Sequence, residues 1–384
     1  MFKPARILQA AVLVTFLGGC ATTKTAAISP ATAQAPAPAN TASANLPPHI
    51  KAGSSTSSTE GFVDARGQLK PDIQAYAREV AQTRHVPLNR IEILLKSARY
   101  NATVARLMTP GKTRIRRSWV TYRKRFVEPI RIKAGAAFWT EHRAALDQAA
   151  RQYGVPQSII VAIIGVETIY GRQTGDFPVL DALATLGFRH PDGARPERSQ
   201  MFRDQLADLI QLDHEKKLDA LEVEGSYAGA IGLPQFMPGS ILRYAVDGDA
   251  SGHIDLTNSP RDAILSVANF LRQHGWVPGL PVFAPVVLPG NAGALVAGGL
   301  TPNYSWPELD AKGASIRPGS VSTAWEKYPV GVVDLIDEPR NLNEYRTGTP
   351  NFFAITHYNH SYFYAASVAD LAQAIAERIG SSAL

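Results

Sequence analysis

The feature that most limits how this chain can fold is an apolar stretch at 159–168, IIVAIIGVET, which carries a single carboxylate, Glu167. Pro156 suits the first turn of a helix, and the residues after Thr168 become rich in glycine and polar side chains. The pattern therefore predicts a buried helix from about Pro156 to Ile169. A glutamate in the last turn of such a helix calls for an explanation.

Glu167 shares a helical face with Ile160, Ile163 and Ile164, which come seven, four and three positions before it. Burial on an apolar face raises the pKa of a carboxyl group, and the nearby C-terminal end of the helix disfavours its negative charge. We therefore expect Glu167 to be protonated near neutral pH, which suits a general acid for glycosidic cleavage. Alternatively, Glu167 forms an ion pair with Arg172 or a nearby lysine.

Most glycosidases need a second carboxylate as nucleophile or base. The nearest candidates are Asp176, in a glycine-flanked loop, and Asp181, which is also placed to cap the helix that follows. Neither residue stands out, so a mechanism with a single acid remains open.

Periodicity and turn residues predict that most of the body is helical. The expected helices are short ones between Phe62 and Thr109, Trp139–Tyr153, one within 176–190, one at 198–220, Pro260–His274 and Tyr362–Ile379. In the Trp139–Tyr153 helix, Ala144, Leu146, Ala149 and Ala150 are expected on one side. Residues 276–349 contain many Pro and Gly residues and short β-type runs, which predicts a small β-rich insertion. The predicted fold class is mainly α (α+β).

The N-terminus has the pattern of an export signal. Lys3 and Arg6 precede an apolar stretch and the motif LGGC, which predicts a signal peptide at 1–19. The motif resembles the lipobox of bacterial lipoproteins and implies lipidation of Cys20, the only cysteine. The residue after it, Ala21 rather than Asp, favours the outer membrane by the same resemblance. Residues 20–60 are rich in Ala, Thr, Ser and Pro and are predicted to form a disordered tether.

The formal net charge is +6, which favours anionic partners. The stretch at 112–126, KTRIRRSWVTYRKRF, carries seven basic residues. Because the chain is predicted to be exported, we expect no nucleic acid partner. The stretch is either a solvated face or a contact for an anionic wall polymer.

The stretch DGDASGHIDLTN at 247–258 has the spacing of a calcium-binding loop. Oxygen ligands fall at positions one, three, five and nine (Asp247, Asp249, Ser251 and Asp255), glycine falls at position six, and the carbonyl of His253 falls at position seven. Position twelve is Asn258, which cannot give a bidentate carboxylate. The alternative is a turn rich in Asp and Gly that needs no ion.

Four separated stretches resemble the membrane-bound lytic murein transglycosylase B family. They are IIGVETIYGRQTG…PVLDALATLGF, GSYAGAIGLPQFMPGS, SVANFLRQHGW and ITHYNHSYFYAASVADLAQAI, in this order. The resemblance implies a lysozyme-like core, which we assign to 151–275 and 350–384. Residues 61–150 are then an N-terminal helical domain and 276–349 the β-rich insertion.

The resemblance also implies the reaction. Family members cleave the β-1,4 bond between N-acetylmuramic acid (MurNAc) and N-acetylglucosamine (GlcNAc) in peptidoglycan, and they form a 1,6-anhydro product without consuming water. The catalytic glutamate of the family falls on Glu167, which would act first as acid and then as base. No cofactor is required for this chemistry.

The substrate-binding positions of the family fall on five residues: Ser226, Gln235, Tyr358, Asn359 and Tyr364. Some members have Tyr-Gly where this chain has Leu233-Pro234, which predicts a stiffer loop. Family members also bind structural calcium in a loop closed by a later aspartate, which matches Asp262, although Asp249 and Ser251 exchange the expected residue types.

The sequence therefore predicts a monomeric, lipid-anchored peptidoglycan lyase that faces the periplasm. Two alternatives remain: a muramidase, a hydrolase on the same fold that uses Asp176 as base, and a non-catalytic wall-binding lipoprotein.

Overall fold

The computed structural model of the chain describes residues 61–111, 114, 116–320 and 323–381. The predicted signal peptide, the lipidation site at Cys20 and the tether at 20–60 lie outside these residues. No helix among the described residues is both long and apolar enough to cross a bilayer.

Helices make up most of the described chain, which confirms the predicted fold class. The α-helices are α1 (Pro71–Arg84), α2 (Leu88–Ser97), α3 (Ala102–Met108), α4 (Trp119–Phe126), α5 (Pro129–Glu141), α6 (Arg143–Tyr153), α7 (Gln157–Thr168), α8 (Val179–Phe188), α9 (Pro196–His214), α10 (Pro238–Tyr244), α11 (Pro260–Gln273), α12 (Trp306–Ala311), α13 (Pro350–Thr356) and α14 (Tyr362–Ile379).

The strands are short and form antiparallel pairs. They are β1 (Phe177–Pro178) with β2 (Glu224–Gly225), β3 (Val286–Val287) with β4 (Ser315–Ile316), and β5 (Gly331–Asp337) with β6 (Leu342–Gly348). In the longest pair, Gly331 lies opposite Gly348 and Asp337 opposite Leu342.

Helix α7 is the centre of the fold and matches the predicted helix closely. All its residues from Ser158 to Thr168 are buried, and α5, α6, α11 and α14 pack around it. The helix ends at Thr168 because Ile169 takes a left-handed conformation (φ 51°). A β-branched residue rarely adopts this conformation, so the surrounding contacts must hold it there.

Three sequence predictions about helix boundaries were wrong in detail. The helix predicted at Trp139–Tyr153 is interrupted at His142, which ends α5 and begins α6. In α6, Ala145, rather than the exposed Ala144, faces the core with Leu146 and Ala149.

The helix predicted at 198–220 ends at His214, because Lys216 is left-handed (φ 57°) and turns the chain. Asp181 does not cap α8 as expected. It lies inside the first turn, where its carboxylate accepts a hydrogen bond from the backbone N–H of Arg99 (2.8 Å).

The N-terminal helices are fixed to α9 by two buried carboxylates. Asp208 pairs with Arg84 (2.6 Å), and Asp213 accepts two hydrogen bonds from Arg90 at 2.7 and 2.8 Å. One hydrophobic cluster continues from Phe62 through α7 to α14. The N-terminal helices therefore share the core of the helices that follow.

Residues within 276–349 contain their own hydrophobic cluster, centred on the fully buried Trp325. We propose that this segment is an inserted unit. The basic stretch is attached to its β5–β6 hairpin: Arg117 pairs with Glu338 (3.2 Å), and Ser118 donates to Asp337 (2.9 Å).

Candidate active site

Glu167 lies one residue before the end of α7 and is 7% exposed. Its Oε1 accepts a hydrogen bond of 2.6 Å from the hydroxyl of Tyr364, on α14. Arg172, the ion-pair partner considered from the sequence, is exposed, and burial and the Tyr364 hydroxyl alone account for the pKa shift of Glu167. An ion pair with Arg172 therefore does not account for the pKa of Glu167, and its role as an acid stays a prediction.

Burial raises the pKa of Glu167 to about 7, although the hydrogen bond from Tyr364 partly opposes the shift. The carboxyl group therefore loses its proton near neutral pH and can both donate and accept a proton there, as acid–base catalysis requires.

Tyrosines surround the carboxyl group. Tyr364 is 2% exposed, and its ring stacks against that of Tyr358 with centroids 6.2 Å apart and an angle of 12° between the planes. Burial, together with the charge of Glu167, raises the pKa of Tyr122, Tyr358 and Tyr364. These hydroxyls therefore keep their protons and remain hydrogen-bond donors.

A small cleft, part of it open to solvent, lies over the carboxyl group. Its lining consists of Glu167, Ala228, Ala230, Gln235, Met237, Tyr358 and Asn359. Among these lining residues only Glu167 carries a carboxyl group. Asp176 is exposed and is absent from the lining, so the structure does not place it as a second carboxylate of this cleft.

The floor of the cleft is a tight turn at 232–235. Two backbone hydrogen bonds between Ile231 and Phe236, of 2.8 and 3.1 Å, close this turn. Gln235 takes a left-handed conformation (φ 50°) and is 8% exposed. Its Nε2 donates to the carbonyls of Gly232 (2.9 Å) and Thr174 (3.1 Å), and its Oε1 has no partner among the described residues.

The predicted substrate-binding residues do not all reach the cleft in the same way. Gln235, Tyr358 and the largely buried Asn359 line it. Ser226 is buried beneath the Ala-rich wall, where its Oγ accepts a hydrogen bond from Ala230 N–H (3.1 Å). Tyr364 lies behind Glu167 and does not form part of the lining.

The strand pair β1–β2 brings the segment with Ser226 against the chain that follows α7. Gly225 pairs with Phe177, and a Cβ added to Gly175 would lie 2.2 Å from the carbonyl oxygen of Gly225. Only glycine permits this approach at Gly175, where φ is 90°.

The predicted cation loop brings three carboxylates together. One oxygen each from Asp247, Asp249 and Asp262 lie within 4.8 Å of one another. The carboxylate of Asp262, 1% exposed, accepts hydrogen bonds from the N–H groups of Gly248 (2.9 Å) and Asp255 (2.8 Å). Carboxylate oxygens are the hard donors that Ca²⁺ prefers, so these three residues could supply part of its ligand set.

All the predicted cation ligands of this loop remain predictions. Ser251 is exposed, and its hydroxyl donates to the carbonyl oxygen of His253 (3.1 Å), the same oxygen that was predicted as a ligand. Asn258 donates its side-chain N–H to Asp255 (3.0 Å) and therefore acts within the loop.

Sequence reasoning missed several residues that support the site. Tyr122 lies near enough to Glu167 for the pKa of the tyrosine to respond to that charge, but in the sequence Tyr122 stands out only as part of a basic stretch. Thr168 donates to the carbonyl of Leu233 (3.0 Å) and thereby joins α7 to the cleft floor. Proximity to Glu167 in the sequence was the only available signal for Thr168.

Comparisons with known proteins identify the family of this chain. The family described as "Transglycosylase SLT domain" matches residues 68–373. This chain belongs to that family. It is 40% identical over 270 residues to the membrane-bound lytic murein transglycosylase B of Escherichia coli K12, covering 67% of this chain and 68% of that protein. The resemblance found in the sequence is thereby confirmed.

Solved structures show the same fold. Soluble lytic transglycosylase SltB1 of Pseudomonas aeruginosa is 38% identical, with a TM-score of 0.72, and the match covers 81% of this chain and 100% of that one. Escherichia coli Slt35, solved in complex with calcium, is 35% identical, with a TM-score of 0.68 and coverage of 81% and 94%. Pseudomonas aeruginosa SltB3, solved with NAG-anhNAM-pentapeptide, is 25% identical, with a TM-score of 0.66 and coverage of 81% and 80%.

The family membership establishes the class of the protein. It is an enzyme, a lytic transglycosylase of the MltB/SltB type, and its structural neighbours are lysozyme-like. Lytic transglycosylases are lyases that act on peptidoglycan, and their catalysis needs no cofactor.

Proposed function

We propose that this enzyme cleaves the MurNAc-β-1,4-GlcNAc bond of peptidoglycan and leaves a 1,6-anhydro-MurNAc end, with Glu167 as both acid and base. The observation that carries this proposal is the cleft itself, where the buried Glu167 is the only carboxyl group among the lining residues. Its pKa of about 7 allows both protonation states near neutral pH.

In the first step, protonated Glu167 gives its proton to the glycosidic oxygen. The bond between this oxygen and C1 of MurNAc breaks, and GlcNAc leaves with a free 4-hydroxyl group. Glu167 becomes a carboxylate, while C1 acquires positive character that the acetamido group of the substrate stabilises. The apolar surroundings keep Glu167 protonated before the reaction, and the positive character that develops at C1 then stabilises the carboxylate that forms.

In the second step, the carboxylate of Glu167 removes the proton from the 6-hydroxyl of the same MurNAc. The 6-oxygen attacks C1 and closes the anhydro ring, and Glu167 regains its proton. No water is consumed. Intramolecular attack removes the need for a second carboxylate that activates water, because the attacking oxygen is already held beside the reacting carbon.

Tyr364 supports the same proposal as a positioning residue. Its hydroxyl donates to Oε1 of Glu167, so Oε2 is left to exchange the proton with the substrate. The resemblance implied a substrate-binding role for Tyr364. We propose a positioning role instead, because Tyr364 is buried behind the carboxyl group.

The remaining lining residues supply polar groups for the sugar. We propose that Oε1 of Gln235 accepts a hydrogen bond from the substrate, because it lacks a partner among the described residues and both hydrogens of Nε2 are already used. Asn359 and Tyr358 are proposed to contact the glycan directly, and Ser226 to shape the wall behind Ala230.

A structural Ca²⁺ ion is proposed for the cation loop. Asp247, Asp249 and Asp262 would hold it, with Ser251 and the His253 carbonyl as further ligands. The ion supplies charge compensation for three clustered carboxylates. No step of the proposed reaction passes through it.

We further propose that the enzyme works on the periplasmic side of the outer membrane. The relative in Escherichia coli is named membrane-bound, and the sequence around Cys20 provides the lipidation motif. The glycan strand is the proposed partner, and one copy of the chain suffices for the chemistry.

Digestion of purified peptidoglycan by the enzyme and by its Glu167→Gln variant tests the function. The proposal expects anhydro-muropeptides from the first and none from the second. Products with reducing ends would indicate a muramidase, and the absence of products from both would indicate a non-catalytic wall-binding protein.

A further inference from the structure

The turn at 232–235 lies between the cation loop and the catalytic helix. Its last residue, Gln235, lines the cleft, and backbone hydrogen bonds join the two residues that flank the turn, Ile231 and Phe236. Gln235 is left-handed without being glycine, a conformation that persists only where neighbouring contacts hold it. The contacts of this turn therefore determine the position of a cleft residue.

On one side, the turn is bonded to the cation loop. The N–H of Leu233 donates to the carbonyl oxygen of Leu256 (2.8 Å). A Cβ added to Gly232 would lie 2.3 Å from that same oxygen, so the two backbones are in direct contact. Leu256 follows Asp255, whose N–H is held by the carboxylate of Asp262 (2.8 Å).

On the other side, the turn is bonded to the catalytic residues. Thr168, which follows Glu167, donates from its hydroxyl to the carbonyl of Leu233 (3.0 Å). The hydroxyl of Tyr358 donates to the carbonyl of Pro234 (2.6 Å). Leu233, Leu256 and Thr168 are all buried, so water does not readily replace these bonds.

We propose that the loop at 247–262 and the cleft are coupled through the Leu233–Leu256 hydrogen bond, so that a divalent cation and a glycan strengthen the binding of one another. The inference rests on the proposed function of the cleft and adds a regulation of the same site. Leu256 is the positioning residue of this link, since it acts on Gln235 through Leu233.

The physical basis is the repulsion among the three carboxylates. Asp262 is anchored in the first turn of α11, and Asp247 and Asp249 lie on the loop. Repulsion among these carboxylates favours a wider loop, whereas the hydrogen bonds from Gly248 to Oδ1 and from Asp255 to Oδ2 of Asp262 hold the compact loop. A cation that favours the compact loop therefore also favours the position of Leu256 that holds the cleft floor.

Thermodynamic linkage gives the main test. Calorimetry would measure Ca²⁺ binding to the full-chain Glu167→Gln protein, with and without a saturating peptidoglycan oligosaccharide. It would also measure oligosaccharide binding with and without saturating Ca²⁺. We expect both affinities to rise by the same factor, about fivefold or more, because coupling between two sites is reciprocal.

Equal affinities in the two conditions would overturn the coupling and leave the proposed function intact. Absence of Ca²⁺ binding would overturn it as well. A protein that fails to bind the oligosaccharide under either condition would count against the function proposed for the cleft and, with it, the coupling.

A matched pair of variants locates the effect. Asp249 is exposed and forms no hydrogen bond with Asp262, so its substitution should leave Asp262 in place. In the Glu167→Gln background, Asp249→Asn should weaken Ca²⁺ binding and remove the gain in oligosaccharide affinity that Ca²⁺ produces. Asp310→Asn, at an exposed position on α12, is the control and should keep the full gain. A gain that persists in Asp249→Asn although Ca²⁺ binding is lost would contradict the proposal.

Amide hydrogen exchange separates coupling from a general gain in stability. The N–H of Leu233 donates to Leu256, and added Ca²⁺ should slow its exchange. The slowing should exceed that of the Val333 N–H in β5 by about fivefold or more. The same slowing at both amides would indicate a merely structural ion and overturn the proposal.

Discussion

The hydroxyl of Tyr364 donates a 2.6 Å hydrogen bond to Oε1 of Glu167, two residues that are 197 positions apart in the sequence. The bond joins α14 to the end of α7 beneath the cleft. It gives the buried carboxyl group a polar partner. This pair is the basis of the proposed acid–base mechanism.

The first prediction concerns the identity of the catalytic group. Glu167→Gln should lower cleavage of peptidoglycan by roughly 10²- to 10⁴-fold, because the amide cannot transfer the proton. Binding of an oligosaccharide should remain, since the shape of the side chain is kept. Glu141→Gln is the control, because the side chain of Glu141 is 74% exposed and lies away from the lining. Retained cleavage in Glu167→Gln would remove Glu167 from the mechanism.

The second prediction is the pH dependence of activity. The reaction begins with protonated Glu167, whose pKa is raised to about 7 by burial. The value of kcat/KM should therefore fall as pH rises through about 7. A profile whose upper limb lies near the ordinary glutamate pKa of about 4.3 would contradict the effect of burial.

The third prediction concerns stability. The pKa of Glu167 is raised from 4.5 to about 7 in the folded chain, so the folded state binds more protons than the unfolded state between these values. Stability therefore decreases as pH rises through this window, and above it the charged carboxylate costs about 3 kcal/mol, at 1.36 kcal/mol per pKa unit.

Glu167→Gln removes this cost. Denaturant unfolding should show the variant more stable than the parent by about 3 kcal/mol above pH 7 and nearly equal to it below about pH 4. The exposed control Glu141→Gln should show no such trend. A constant difference at all pH values would argue that packing rather than charge distinguishes the Glu167 variant.

The fourth prediction tests Tyr364 as a positioning residue. Its hydrogen bond lowers the pKa of Glu167, so Tyr364→Phe should move the descending limb of the pH profile to higher pH and lower kcat by about tenfold. Tyr345→Phe, in β6, is the matched control and should leave the profile in place. Lower activity with an unchanged profile would reduce Tyr364 to a packing role.

Local signals in the sequence were sufficient for α7 and Glu167. The apolar run, the preceding proline and the glycine-rich chain after Thr168 all belong to one segment, so the helix and its unusual carboxylate could be predicted together. The exact bounds of α14 followed from its periodic apolar residues. The break at His142 was missed because helix-forming residues continue across it.

Contacts between distant segments could not be read from such signals. Nothing in the sequence near Leu256 shows that its carbonyl meets Leu233, because a backbone hydrogen bond leaves no residue preference. The resemblance named Tyr364 as a site residue, but only the structure places it behind Glu167. Tyr122 went unnoticed because its basic neighbours dominate the local pattern.

The most direct test of the central claim is the fate of water during cleavage. Peptidoglycan would be digested in water enriched in oxygen-18, and the new MurNAc ends would be analysed by mass spectrometry. If Glu167 acts alone and the 6-hydroxyl attacks, the new ends carry no heavy oxygen and weigh one water less than reducing ends. Reducing ends labelled with oxygen-18 would show that water attacks C1 and would contradict the single-carboxylate mechanism.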